Sequence, residues 1–87
     1  MAKYKIEIKK SALKELKAIP SIDLSRIIDK IGALSDNPRP EGCKKLSGEE
    51  KYRIRQGNYR ILYAIEDEIL IVYVVKVAHR KVVYQRG

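Results

Sequence analysis

Apolar and polar positions alternate from Lys3 to Lys9: Tyr4, Ile6 and Ile8 fall on one side and Lys3, Lys5, Glu7 and Lys9 on the other. A period of two is the signature of a half-buried strand. The period then lengthens. With Ser11 as its expected cap, a helix carries Ala12, Leu13, Leu16 and Ile19 inward and Lys14, Glu15 and Lys17 outward, and Pro20 ends it. A second helix is predicted to begin between Ser21 and Asp23 and to bury Leu24, Ile27, Ile28, Ile31 and Leu34, with Asp23, Arg26, Asp29 and Lys30 off that stripe. It is expected to run to Asn37-Pro38, because a residue before proline is pushed out of the helical region. The two helices form a hairpin whose joint apolar surface needs a sheet to cover it.

Pro38 to Gly42 reads as a loop, after which Leu46 is expected to enter the core while Lys44 and Lys45 stay in water. Alternation returns at Lys51 to Gln56. Gly57-Asn58 then suits a two-residue type II′ turn into a strand rich in Tyr, Ile and Leu. That turn sets Gln56 against Tyr59, Arg55 against Arg60, Ile54 against Ile61, Arg53 against Leu62 and Tyr52 against Tyr63. Tyr52, Ile54, Ile61, Tyr63 and Ile65 therefore share one face, and Arg53, Arg55 and Arg60 share the other. Glu66-Asp67-Glu68 makes a further turn into Ile69 to Val77, which is apolar except at Lys76 and so reads as an interior strand. Counting onward puts Leu70, Val72 and Val74 on the buried face. Ile71, Tyr73 and Val75 then lie beneath the arginines as an apolar floor, so a concave, partly dry site is expected. The fold class is α+β: a strand, a helical hairpin packed on one sheet face, and a three-stranded antiparallel meander. The pattern leaves open which edge the first strand joins.

Composition narrows the partners. Eighty-seven residues make one domain, residues 1–87, and 45% hydrophobic with 34% charged residues is the balance of an ordinary globular chain. There is no Phe or Trp, and several of the six Tyr are expected at the edge of an aliphatic core, where their hydroxyls find partners. A formal charge of +8 predicts attraction to a polyanion. No apolar run is long enough to span a membrane, and the first residues lack the apolar core of a signal peptide, so a cytoplasmic protein is expected. Cys43 stands alone, and no cluster suggests zinc or another metal; no cofactor is expected.

The opposed guanidinium groups of Arg55 and Arg60 are the sharpest chemical signal, since like charges across a strand pair cost about 0.2–1 kcal/mol. Rules broken without structural gain point to function. Gly-rich phosphate loops, paired carboxylates and Ser/His/Asp arrangements are missing from the sequence. What remains is Arg53, Arg55, Arg60, His79, Arg80 and Tyr84, a set suited to metal-free cleavage of RNA by attack of a 2′-hydroxyl, with cations stabilising the developing charge. Arginine is a poor base, so His79 is expected to share proton transfer with Tyr84. Lys44, Lys45, Lys51 and Lys81 are candidates to extend the RNA-binding surface.

Lys45-Leu46, Tyr52-Arg53-Ile54-Arg55, Gly57 to Tyr63, Val75 to Lys81 and Tyr84, in that order, resemble the RelE/ParE superfamily of bacterial toxin–antitoxin modules. The resemblance implies an mRNA interferase that cuts translated mRNA in the ribosomal A site. It assigns the cutting to Arg53, Arg55, Arg60, Arg80 and Tyr84. Well-studied members carry Lys where Arg53 and Arg55 stand, including the proposed base, and that departure is what turns attention to His79. The resemblance also implies a cognate, RelB-like antitoxin that covers the basic site, and a toxin–antitoxin complex that binds operator DNA through the antitoxin. Two rivals remain: a ParE-like inhibitor of DNA gyrase, which needs no nuclease site, and a non-catalytic basic binding module.

Overall fold

The computed structural model describes residues 3–46 and 51–79. The chain runs β1 (Lys5–Ile8), α1 (Lys10–Lys17), α2 (Ser21–Ala33), β2 (Lys44–Lys45), β3 (Lys51–Gln56), β4 (Tyr59–Glu66) and β5 (Ile71–His79). The strands form one mixed sheet in the order β1-β5-β4-β3-β2. The meander is therefore present and is widened at both margins. β1 joins parallel to β5, with Ile6 beside Val72 and Ile8 beside Val74, which settles the edge that alternation left open. β2, missed in the sequence, pairs antiparallel with β3, Lys44 against Arg53 and Lys45 against Tyr52.

Both helices pack on one sheet face. Ala12, Leu16 and Ile19 from the first helix and its exit, with Ile27, Ile31 and Leu34 from the second, close over Tyr52, Ile54, Ile61, Tyr63, Ile65, Val72, Val74 and Val77. An eight-residue helix has too few internal bonds to persist alone, so α1 depends on this packing. Its N-cap is Lys9, with no side-chain capping bond, and not the expected Ser11, because the Lys9 carbonyl already accepts the Leu13 N–H at 2.9 Å. Leu13 and Ile28, both assigned to the buried stripes, remain 43% and 46% exposed at their flanks. α2 stops at Ala33, before the expected Asn37. There the chain turns to meet the first strand: the Tyr4 N–H donates to the Ser35 carbonyl (2.9 Å), and Ser35 Oγ donates to the Tyr4 carbonyl (2.7 Å). Leu46 is half-buried at the sheet margin and does not plug the core. No helix among the described residues is long and apolar enough to cross a membrane.

Tyr4 and Tyr59 sit at the edge of the core as expected, but two tyrosines lie inside it. With no Phe or Trp to fill the centre, Tyr63 is fully buried and stacks on Tyr52 with ring centroids 5.9 Å apart. Its hydroxyl donates to the Pro38 carbonyl at 2.7 Å, and burial pushes its pKa well above the ordinary tyrosine value.

The same end of the molecule is clasped from outside. Arg39 forks onto Asp67 at 2.9 and 3.2 Å, donates from Nε to the Tyr52 hydroxyl at 3.1 Å, and lies 5.2 Å over the Tyr52 ring; Tyr4 donates its hydroxyl to Asp67 at 2.7 Å. Tyr4 and Arg39, both distant in sequence, thus converge on one carboxylate. The Arg39 bond first, and the Tyr4 bond second, hold Asp67 below the usual carboxylate range. A depressed folded-state pKa contributes stability that is present above the unfolded value and is lost as pH falls through the folded one. Thermal melts of wild type and Asp67→Asn across the acid range are expected to converge as pH drops below about 4. Near pH 7 the variant should melt lower.

Candidate nucleic-acid interface

Gly57 adopts φ +60° and Asn58 does not adopt a positive φ, as a type II′ turn requires, so β3 and β4 pair in the expected register from Gln56–Tyr59 to Tyr52–Tyr63. Arg53, Arg55 and Arg60 consequently project from the sheet face opposite the helices. Lys44, paired with Arg53, and Lys51, paired with Ala64, share that face by alternation. Lys45, opposite the buried Tyr52, does not. Among the described residues the side chains of Lys44, Arg53 and Arg55 make no ion pair or hydrogen bond, leaving three cations on one surface with donors to offer. Arg60 is held more firmly: it is half-buried, and its Nε is sealed from solvent.

The apolar floor expected beneath the arginines is displaced along the sheet, with Ile71 opposite Glu66 and Tyr73 opposite Ala64, and the only apolar residues directly across from arginines are Leu62 and Ala78. Ile71 and Tyr73 share the arginine face, next to Lys5 and Glu7 of β1, while Leu70 leaves the strand altogether. It sits in the turn at φ 55°, and Ile69 beside it is exposed.

The larger difference lies at Val75. Tyr63 opposes Val74 but Leu62 opposes Lys76, so Val75 has no partner in the ladder and the strand changes phase. Beyond this bulge Val77 faces the core with Ile61, Ala78 lies opposite Arg60, and His79 lies opposite Tyr59. The cause is legible in hindsight, because an uninterrupted phase would bury the Lys76 ammonium against Ile61.

His79 is thereby carried to the helix side, away from the arginines it was expected to join. Its ring meets Tyr59 edge-on at 5.1 Å, and the two line a cavity of about 300 Å³ with Glu15, Ala18, Ile19 and Lys76 to Ala78. Arg80, Lys81 and Tyr84 lie outside the described residues.

Chemically, the arginine face offers guanidinium and ammonium donors at several points along an extended strand pair, an arrangement that fits a run of phosphates better than one small ligand.

Comparison with known proteins follows the same line. Residues 6–84 match the family described as the ParE toxin of the type II toxin–antitoxin system, parDE. Toxin RelG of Mycobacterium tuberculosis is 31% identical across 95% of this chain and 98% of its own. The mRNA interferase toxin RelE of Escherichia coli is 29% identical across 90% of this chain and 84% of its own. Among solved structures, the archaeal RelE–RelB complex from Pyrococcus horikoshii contains a chain that superposes with a TM-score of 0.83 at 25% identity, covering 93% of this chain and 99% of that one.

Proposed function

The chain belongs to the RelE/ParE superfamily of type II toxin–antitoxin toxins, and on that premise we propose that it is a RelE-like endoribonuclease that blocks translation by cutting mRNA in the ribosomal A site. The observation that carries this reading is the sheet face itself. Arg55 and Arg60 stand directly opposed across the hairpin, Arg53 stands two residues away on the same face, and none of the three belongs to the core cluster. Their role is to hold the scissile phosphate and its neighbours and to stabilise charge as the 2′-hydroxyl attacks, without a metal ion. Arg80 and Tyr84 join them in this proposal on the strength of the resemblance. Lys44 and Lys51 extend the track on the same face, and Lys45 and Lys81 are assigned to flanking RNA.

Because His79 lies opposite Tyr59 on the helix side of the sheet, this reading gives it no direct part in proton transfer. For His79→Ala the pH–rate profile of cleavage is expected to keep its wild-type shape. Loss of one titrating limb would restore His79 as acid or base.

The E. coli relative is named an mRNA interferase, and the P. horikoshii neighbour was solved with RelB. We extend both properties to this chain: its partner is a RelB-like antitoxin whose acidic surface complements the +8 charge, and the complex reaches operator DNA through that antitoxin. The name of the matching family favours a second reading, inhibition of DNA gyrase. In vitro translation followed by primer extension, run beside a supercoiling assay, separates the two. Cuts at A-site codons support the nuclease; intact mRNA with blocked supercoiling supports gyrase inhibition. If neither appears, only the basic binding module remains.

A further inference from the structure

The arginine face is shaped from the far side of the sheet. β1 stops pairing with β5 at Ile8–Val74, and the Lys9 N–H donates to the Val74 carbonyl at 2.8 Å, so beyond that point no strand among the described residues lies along the outer edge of β5. The bulge at Val75 falls immediately after this end. A bulge disrupts its ladder and leaves backbone groups to be satisfied elsewhere. Here they are met by a side chain from α1: Glu15 Oε1 accepts the Val77 N–H at 2.8 Å, while Oε2 holds Lys76 Nζ at 2.9 Å.

One carboxylate therefore fixes both residues that follow the bulge. It keeps the Lys76 ammonium out of the core and gives the buried Val77 N–H a partner where no strand among the described residues supplies one.

What the bulge decides is the neighbour of Arg60. With the extra residue, Ala78 lies opposite Arg60; without it, the branched Val77 would stand there and Lys76 would oppose Ile61. Directly opposed side chains have Cβ atoms about 5 Å apart, so the identity of that neighbour sets the space available to the Arg60 stem. We propose that Glu15 is a positioning residue for the arginine face: by clamping the β5 bulge from α1, it sets Ala78 beside Arg60 and so aims the Arg60 guanidinium at the scissile phosphate. This rests on the nuclease reading for its kinetic part and stands apart from it for its structural part. Glu15 touches no substrate, and its effect passes through Val77 and Ala78.

The test uses full-length toxin on ribosomes programmed with mRNA, with amide exchange measured by NMR on the same proteins. For Glu15→Ala the cleavage step at saturating toxin should slow by about tenfold, as a small misplacement of a catalytic group does, while the half-saturating concentration stays within about twofold of wild type. The Val77 amide should lose its protection and the Arg60–Ala78 cross-strand NOE should weaken. Glu15→Gln keeps an acceptor for the Val77 N–H and should recover most of the rate. If Glu15→Ala does not fold, Glu15→Asp, one methylene short of that N–H, is read by the same measurements. A wild-type cleavage rate in the variant, a Val77 amide that stays protected, or a defect confined to half-saturation overturns the proposal. If wild-type protein cuts no mRNA, the nuclease reading falls, and the exchange and NOE data still decide whether Glu15 holds the bulge.

Discussion

Replacing Arg55 or Arg60 with alanine should slow A-site mRNA cleavage by about 10²–10³-fold, the usual cost of deleting one donor aimed at developing charge. The Arg55 variant separates function from folding. Arg55 is exposed, its side chain makes no ion pair or hydrogen bond among the described residues, and it stands opposite another guanidinium. Its removal relieves about 0.2–1 kcal/mol of like-charge opposition, so Arg55→Ala should melt no lower than wild type while cutting far more slowly. Single-turnover cleavage and thermal melts on one preparation check both halves. An Arg55→Ala protein that melts lower and cleaves normally would mean that the pair serves the fold, and the nuclease assignment would lose its main support.

The second large effect is on stability. Tyr63→Phe keeps the ring in the centre of the core and removes one oxygen, leaving the Pro38 carbonyl without the donor it has at 2.7 Å. An unsatisfied buried acceptor costs about 1–3 kcal/mol. In a domain of this size each kcal/mol lowers Tm by about 4–8 °C, so a drop of several degrees is expected by calorimetry. Cleavage at a temperature where both proteins are folded should change little, because Tyr63 faces the helices and the arginines face away. An unchanged Tm would show that the hydroxyl finds an equally good partner elsewhere.

The hairpin could be read to the residue because Gly57-Asn58 admits few turn geometries, and the strands on either side alternate cleanly enough to lock the register. β5 lacked that information. Ile69 to Val77 is apolar on both faces, so no alternation fixes its phase, and Lys76 alone hinted that the phase had to change. The placement of His79 depends on that slip. β2 was invisible for another reason: two lysines hold no apolar pattern, and their pairing follows from where β3 leaves its edge open. Arg39, Asp67 and Glu15 read as ordinary surface charges in the sequence. Their partners lie 13 to 63 residues away along the chain, beyond the reach of any local pattern. The candidate site was accordingly legible where it sits on the hairpin and illegible where β5 feeds into it.

The lysine pair of β2 bears on how the protein behaves when concentrated. It is the outermost rung on its side of the sheet, only two residues long, and both residues carry a positive charge into solvent. A second molecule seeking to add a strand there would find little backbone to grip and would bring its own lysines against these. Fibril-like stacking through this margin is disfavoured from the outset, so purified toxin should stay dispersed at low salt and lose that protection as ionic strength rises.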